Sequence, residues 1–291
     1  MNVADVLSTH FDGVAALNRP IMVLALRGWF DIAEVATTAI NELYADRVAP
    51  IVASIDPDPF FDFTQERPFA ELDEDEVRHI HWPENEFRFA RFSGAPHDLV
   101  VMAGVEPHLR YSTFADSVLE VAKLSKCEVV VTVGAVADTI PHTRPPLVVG
   151  STTNPDLLSA LALSPPRYQG ITGLVGVLQE RLDRAGVPAV SLRVGVPHYL
   201  GNAQHPQSSI ALLQHLHHVL GVPVHTARLA AEAARRRVLH DEAVAEDEQA
   251  TAYVAMLERE YDQNSEEAIP SGDDLAAEFE KFLRDQRDDE G

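Results

Sequence analysis

Short apolar runs that alternate with amphipathic helical patterns constrain the fold of the first 225 residues. Residues 21–26 (IMVLAL) and 128–133 (EVVVTV) have the composition of strands buried on both faces. Asp31 precedes an apolar stripe at helical spacing, with Glu34 three residues later as in a capping box, and residues 51–55 form the next apolar run. A strand–helix–strand unit builds a parallel sheet with right-handed crossovers, so the chain predicts an α/β fold.

The alternation of strands and helices continues to about residue 225. Further strands are predicted at 99–103, 147–150 and 189–194. Further helices are predicted at 112–124, 171–185 and 206–220. We therefore predict a core of residues 1–225 with a three-layer α/β/α architecture, in which helices cover both faces of one mixed sheet.

Two segments interrupt this rhythm. Residues 56–76 are rich in Pro and Asp with four phenylalanines, which predicts an irregular acidic insertion. Residues 77–92 alternate in polarity around Pro83, Glu84 and Asn85, which predicts an antiparallel hairpin.

The predicted strands stop after Val224, and residues 226–291 are predicted to form an acidic helical extension. Residues 227–261 indicate one long helix or two, 265–271 a linker, and 273–287 an amphipathic helix. The apolar side of this last helix is predicted to carry Leu275, Phe279, Phe282 and Leu283. Residues 232–291 hold 19 acidic and 7 basic residues, a net charge of −12.

Charge and composition exclude several classes of partner. The whole chain has a formal net charge of −22, which disfavours nucleic acid and anionic membrane surfaces. No apolar stretch approaches the roughly 20 residues that span a bilayer, and the N-terminus has no signal-peptide pattern. Cys127 is the only cysteine, which fits a reducing compartment. We therefore expect a cytoplasmic protein.

The search for known chemical motifs predicts no cofactor, no metal and no catalytic residue. Residues 170–176 read G-x-x-G-x-x-G, which favours a glycine-rich helix start over a nucleotide-binding loop. There is no G-x-S-x-G elbow, and Cys127 begins a buried strand, where an inert thiol is expected. Two clusters of polar residues could contribute metal ligands, but neither has a full set. They are Asp56, Asp58 and Asp62, and His215, His217 and His218.

Polar turns after the predicted strands form one candidate binding cluster, because ligands of open α/β sheets gather beyond the strand C-termini. Its members are Gly28, Asp31, Gly134, Asp138, His142, Arg144, His198 and Tyr199. As a ligand site, Arg144 would hold an anion and His142 or His198 would transfer a proton. The alternative is that Asp31 caps a helix and the glycines allow tight turns.

Five segments in order resemble the proteasome assembly chaperone 2 family, in particular its actinobacterial branch of conserved proteins. They are G-W-F-D at 28–31, V-V-V-T-V-G-A at 129–135, D-T-I-P-H-T-R-P at 138–145, Y-Q-G-I-T-G-L at 168–174 and V-G-V-P-H-Y-L at 194–200. The resemblance covers about residues 15–225. It implies a phosphorylase/hydrolase-like core, homo-oligomers (a trimer is one form) and, in eukaryotic relatives, a non-catalytic role in docking proteasome subunits.

Two functional hypotheses follow. The first is a non-enzymatic assembly chaperone or scaffold that binds itself and, through the acidic extension, a protein partner, of which a proteasome subunit is one candidate. The second is a small-molecule binder or enzyme of the nucleoside phosphorylase or hydrolase type, acting through Asp31, Arg144 and His198.

Overall fold

A computed structural model of the chain describes residues 1–11, 17–264 and 279–282. Its main sheet has eight strands in the order β1-β3-β6-β7-β2-β8-β10-β9. These strands are β1 (Leu7–Thr9), β2 (Ile21–Arg27), β3 (Ile51–Ile55), β6 (Asn85–Ala90), β7 (Leu99–Val105), β8 (Val129–Asp138), β9 (Val148–Ser151) and β10 (Ala189–Pro197). A separate pair consists of β4 (Phe69–Leu72) and β5 (Arg78–His81).

Parallel strands form the centre of the main sheet. Ile21 of β2 pairs in register with Leu99 of β7 and with Val129 of β8, and β10 runs parallel to β8. The antiparallel strands are β6, β9 and the edge strand β1. All six apolar residues of β2 before Arg27 are buried, because helices cover both faces of the sheet.

The helices either cover the two faces of the sheet or pack on the helices that do. They are α1 (Val35–Tyr44), α2 (Tyr111–Leu124), α3 (Pro155–Ala160), α4 (Leu174–Arg184), α5 (Pro206–Leu220), α6 (Ala227–Ala245) and α7 (Glu248–Asn264). α1 and α5 pack on one face of the sheet, and α2 and α4 pack on the other. This arrangement confirms the predicted mixed α/β fold with helices on both faces.

The structure differs from the hairpin predicted over residues 77–92. β5 pairs with β4, which lies inside the predicted irregular insertion, whereas β6 enters the main sheet between β3 and β7. Phe87 and Phe89 of β6 are buried, and all four residues of β5 are exposed. Alternating polarity describes both strands equally well, so burial in the main sheet, rather than the short turn, determines the pairing.

Two helices follow α5 in the predicted extension. α6 packs on α5, and α7 packs on α6, so the predicted segment 227–261 is two helices. Residues 265–278 and 283–291, which include the predicted linker and most of the last predicted helix, lie outside the described residues. The division into a core of residues 1–225 and an extension of residues 226–291 stays a prediction. Within the described residues, no helix has the length and apolar composition needed to cross a membrane.

Residues 279–282 contact the end of the sheet where the parallel strands begin. Phe279 is fully buried and Phe282 nearly so, which agrees with the predicted apolar side of this segment. Glu280 lies between them and contacts two residues that precede strands: Oε1 is 2.6 Å from His97 Nε2, and Oε2 accepts a 3.1 Å hydrogen bond from Arg19. The predicted neighbours Leu275 and Leu283 lie outside the described residues.

Candidate functional site

The Asp31 carboxylate, placed just after β2, holds the start of α1. Asp31 is buried; its Oδ1 accepts a 2.6 Å hydrogen bond from the Ala36 N–H, and its Oδ2 accepts bonds from the Thr37 N–H (3.0 Å) and hydroxyl (2.6 Å). Burial raises the pKa of Asp31, and these hydrogen bonds partly offset the rise. Both carboxylate oxygens are therefore occupied by helix donors.

The turn between Asp31 and α1 is strained. Ala33 and Glu34 both have left-handed backbone angles, with φ of 54° and 56°, a conformation that costs free energy in residues other than glycine. α1 consequently begins at Val35, later than the capping-box spacing of Asp31 and Glu34 predicts. The Asp31 side chain reaches across this turn to the first helical N–H groups.

Gly28 and Gly134 lie where neighbouring side chains leave no room for a Cβ. A Cβ on Gly28 would fall 2.6 Å from Cβ of Glu106, and a Cβ on Gly134 would overlap the Phe30 ring. Glu106 itself was not predicted as a functional residue. Its Oε2 accepts from the Trp29 N–H (2.8 Å), and its Oε1 accepts from the Leu174 N–H at the start of α4 (2.8 Å). A carboxylate thus occupies the helix N-terminus that an anion would otherwise bind.

Arg144 and His142, which follow β8, bind the extension. Arg144 forms a bidentate pair with Asp262, through Nε to Oδ1 (2.8 Å) and Nη2 to Oδ2 (2.7 Å), and Nη1 is 3.1 Å from Glu258 Oε1. The hydrogen bonds to Asp262 raise the pKa of Arg144. The buried His142 ring lies 3.0 Å from Asp241 through Nε2. Both predicted site residues therefore contact carboxylates of α6 and α7.

The two residues that follow β10 complete this attachment. Tyr199 Oη accepts a 2.7 Å hydrogen bond from the His142 N–H and lies 2.6 Å from His142 Nδ1. His198 Nδ1 donates to the Asp138 carbonyl (2.9 Å), and Nε2 accepts from the Tyr253 hydroxyl of α7 (3.2 Å). The exposed Asp138 side chain caps only the next residue, accepting from the Thr139 N–H at 2.8 Å. Burial raises the pKa of Tyr199 to about 12.

The eight predicted residues do not share one cavity. A cavity of about 890 Å³ beyond the end of β2 is lined by Gly28 and Asp31, together with Trp29, Glu34 and residues of α6, but not by Arg144 or His198. Asp31 lines this cavity and accepts helix N–H groups with both oxygens, whereas Arg144 lies against α7, so the cavity does not bring Asp31 and Arg144 together.

The described part of the chain contains neither a cluster of metal-ligating residues nor a reactive thiol. No group of three His, Cys, Asp or Glu residues there is arranged to hold a metal ion. Asp62 accepts hydrogen bonds from Thr64, and His217 Nδ1 donates to the Val222 carbonyl at 2.8 Å. Burial raises the pKa of the Cys127 thiol, which suppresses the reactive thiolate.

Comparison with known proteins places this fold in a family. The PAC2 family profile matches residues 25–244. The chain belongs to the PAC2 family. A PAC2 family protein from Streptomyces avermitilis has a similar crystal structure, with 37% identity, a TM-score of 0.75, and coverage of 81% of this chain and 99% of that chain.

Two mycobacterial structures are similar as well. A proteasome-assembly chaperone homologue from Mycobacterium tuberculosis shares 35% identity and a TM-score of 0.72, covering 80% of this chain and 99% of its own. A second M. tuberculosis protein, of unknown function, shares 28% identity and a TM-score of 0.79, and the match covers 97% of this chain and 96% of that chain. No curated protein matches the chain. The resemblance predicted from the five motifs is thus confirmed at the level of the PAC2 family.

Proposed function

We propose that this PAC2 protein is a non-enzymatic assembly chaperone or scaffold that binds a protein partner, a proteasome subunit being the first candidate. The observation that carries the proposal is that His142, Arg144, His198 and Tyr199 contact α6 or α7 or support those contacts. The polar strand-end groups thus attach an acidic helical surface to the core. Similarity to a proteasome-assembly chaperone homologue supports a partner of this kind.

The turn between α6 and α7 is the proposed contact surface. Glu242, Glu246 and Glu248 are exposed there, and none of them forms an ion pair with a described residue. Val238 and Leu239 of α6 are apolar and about half exposed, at 54% and 53%. Free carboxylates beside apolar side chains fit a partner surface that is basic at its rim and apolar at its centre.

Charge reversal tests this surface. The triple variant Glu242→Lys, Glu246→Lys, Glu248→Lys should bind purified proteasome α-subunits more weakly, with a slower association rate and a smaller salt dependence. The matched control is Glu74→Lys, Glu84→Lys, Glu120→Lys, which makes the same charge change at exposed positions elsewhere. Equal loss of binding in both variants would show a general charge effect and contradict the proposed surface.

We also propose that the chain self-associates through an exposed apolar patch formed by Trp29, Tyr168 and Ile171. Their exposed fractions are 62%, 74% and 81%, and a Cβ on the nearby Gly173 would lie 3.4 Å from the Trp29 ring. Exposed apolar patches on soluble proteins mark interaction surfaces.

Sedimentation velocity tests the self-association. The wild-type chain should sediment as an oligomer, a trimer being one expected form, and Ile171→Ser should shift it toward the monomer. Leu124→Ser, at an exposed position on α2, is the control and should leave the oligomer unchanged. A monomeric wild type, or dissociation by the control alone, would contradict the proposed patch.

The enzyme hypothesis rests on the 890 Å³ cavity beside Asp31. A thermal-shift screen with nucleosides, phosphate and sugar phosphates tests it, because a ligand at 100 times its dissociation constant adds about 2.7 kcal/mol of stability. A shift that Asp31→Asn abolishes, and that Arg144→Ala outside the cavity leaves in place, would favour the enzyme over the scaffold.

A further inference from the structure

A second cavity, of about 380 Å³, lies between α5 of the core and α6 of the extension. Its lining includes three histidines, His142, His205 and His240, and two arginines, Arg236 and Arg237. Among the described residues, no aspartate or glutamate lines it, although the chain has 45 acidic and only 23 basic residues. The cavity is therefore lined by basic side chains, while the carboxylates of Glu232 and Asp241 that pair with the two arginines lie outside its lining.

Hydrogen bonding determines which ring nitrogen of His205 is free to accept a hydrogen bond from a ligand. The Ser208 hydroxyl donates its single proton to the Gly195 carbonyl (2.7 Å), so it accepts from the His205 Nδ1–H (2.8 Å). The neutral His205 ring then has an unprotonated Nε2, which has no hydrogen-bond partner among the described residues. Burial, with smaller effects from His240 and His142, lowers the pKa of His205 to about 4, so the ring is neutral at pH 7.

His240 is buried without a polar partner. It is only 7% exposed, and neither ring nitrogen forms a hydrogen bond within the described part of the chain. The ring stacks on His205 and meets His142 edge-on, both with centroids 5.9 Å apart. The ring lines the cavity, so its nitrogens are left to water or a ligand in that space rather than to a protein partner. His240 thus adds hydrogen-bonding capacity to the wall of the cavity.

The two arginines present unused donors. Arg236 Nε donates to Glu232 (2.9 Å) and Nη2 to Gln204 (2.6 Å), while Arg237 Nε donates to Asp241 (3.1 Å). These bonds orient both guanidinium groups on the edge of the cavity. Nη1 of Arg236 and both terminal nitrogens of Arg237 have no partner among the described residues, and such planar groups suit phosphate or carboxylate oxygens.

We propose that the α5–α6 cavity binds a small molecule with an oxyanion group, a phosphate or a carboxylate, and at least one hydroxyl or amine donor. Arg236 and Arg237 bind the oxyanion, and the unprotonated ring nitrogens of His205 and His240 accept from the donor. The volume suits a small metabolite. Because the ligand contacts both the core and α6, its binding holds the extension on the core, independently of any protein partner.

Thermal-shift and calorimetric titrations of the full chain test the proposal with three probes: glycerol 3-phosphate, citrate and glycerol. The two anions distinguish phosphate from carboxylate, and neutral glycerol is the negative probe. At least one anion should raise Tm in a dose-dependent manner. Arg237→Gln and Arg236→Gln should each lower the affinity for that anion about tenfold or more, as expected for the loss of a charged hydrogen bond. The exposed Arg259→Gln on α7, which lines neither cavity, makes the same charge change and should leave affinity unchanged.

Histidine ring spectra keep the test independent of variant folding. In the wild-type chain labelled with ¹⁵N-histidine, the bound anion should shift the ring nitrogens of His205 and His240 and leave those of His217 and His218 in place. No Tm change with either anion, equal affinity in Arg236→Gln, Arg237→Gln and wild type, or unshifted His205 and His240 signals would overturn the proposal.

Discussion

Replacing Asp31 distinguishes a structural carboxylate from a functional one. Asp31→Ala removes the acceptor for the Ala36 and Thr37 N–H groups and for the Thr37 hydroxyl, all buried beneath the turn. A lost helix cap costs about 1 kcal/mol, and each orphaned buried donor costs about 1–3 kcal/mol. Because these contributions overlap, we expect the free energy of unfolding to fall by about 2–4 kcal/mol.

Denaturation by urea, followed by far-UV circular dichroism, measures this loss. Asp138→Ala is the matched control, since it removes another strand-end carboxylate that accepts only a local hydrogen bond. The control should change stability by less than about 0.5 kcal/mol. If Asp31→Ala is as stable as the control, the assignment of Asp31 as the cap of α1 is refuted.

The pH dependence of stability in a second variant, Asp31→Asn, provides another check. Burial holds the pKa of Asp31 above its ordinary value of 3.8 in the folded state, so the folded chain binds this proton more tightly than the unfolded chain does. The stability that Asp31 contributes is therefore greatest below pH 3.8 and falls as the pH rises through the folded-state pKa. The stability of the wild type relative to Asp31→Asn should decrease over that window and then stay constant to neutral pH.

Three further substitutions test the attachment of the extension and the turn beyond β7. Arg144→Ala should speed hydrogen exchange in α7 while the central strands stay protected, and exposed Arg259→Ala should not; equal exchange in both variants would contradict the Arg144 contacts. Leu257→Ala, at a position 1% exposed, should cost about 2–4 kcal/mol in urea denaturation, and the exposed Met256→Ala less than about 0.5 kcal/mol. Glu106→Ala should lower Tm and speed hydrogen exchange at the Trp29 and Leu174 amides, since both donate to its carboxylate; unchanged exchange there would remove Glu106 from this role.

The sequence predicted those helix ends that depend on residues close by in the chain. The bounds of α5 agree with the prediction because Pro206 opens the helix and Gly221, with a left-handed φ of 64°, ends it. The cap by Asp31 was foreseeable in the same way, since its partners lie five and six residues along the chain.

Long-range contacts could not be predicted from spacing. Arg144 pairs with Asp262 at a separation of 118 residues, and His142 with Asp241 at 99 residues. A polar turn after a strand looks the same in the sequence whether it binds a ligand or a distant helix. The strand-end position of these residues was predicted, but their partners depend on how α6 and α7 pack.

The most direct test of the proposed scaffold is a binding titration of purified proteasome α-subunits with three proteins: the wild type, the Glu242/Glu246/Glu248 charge-reversal variant, and Asp31→Asn. We predict that the wild type and Asp31→Asn bind with the same affinity, while charge reversal weakens binding and removes most of its salt dependence. Binding that survives charge reversal but is lost in Asp31→Asn would contradict the account, because it would place the working site at the strand ends.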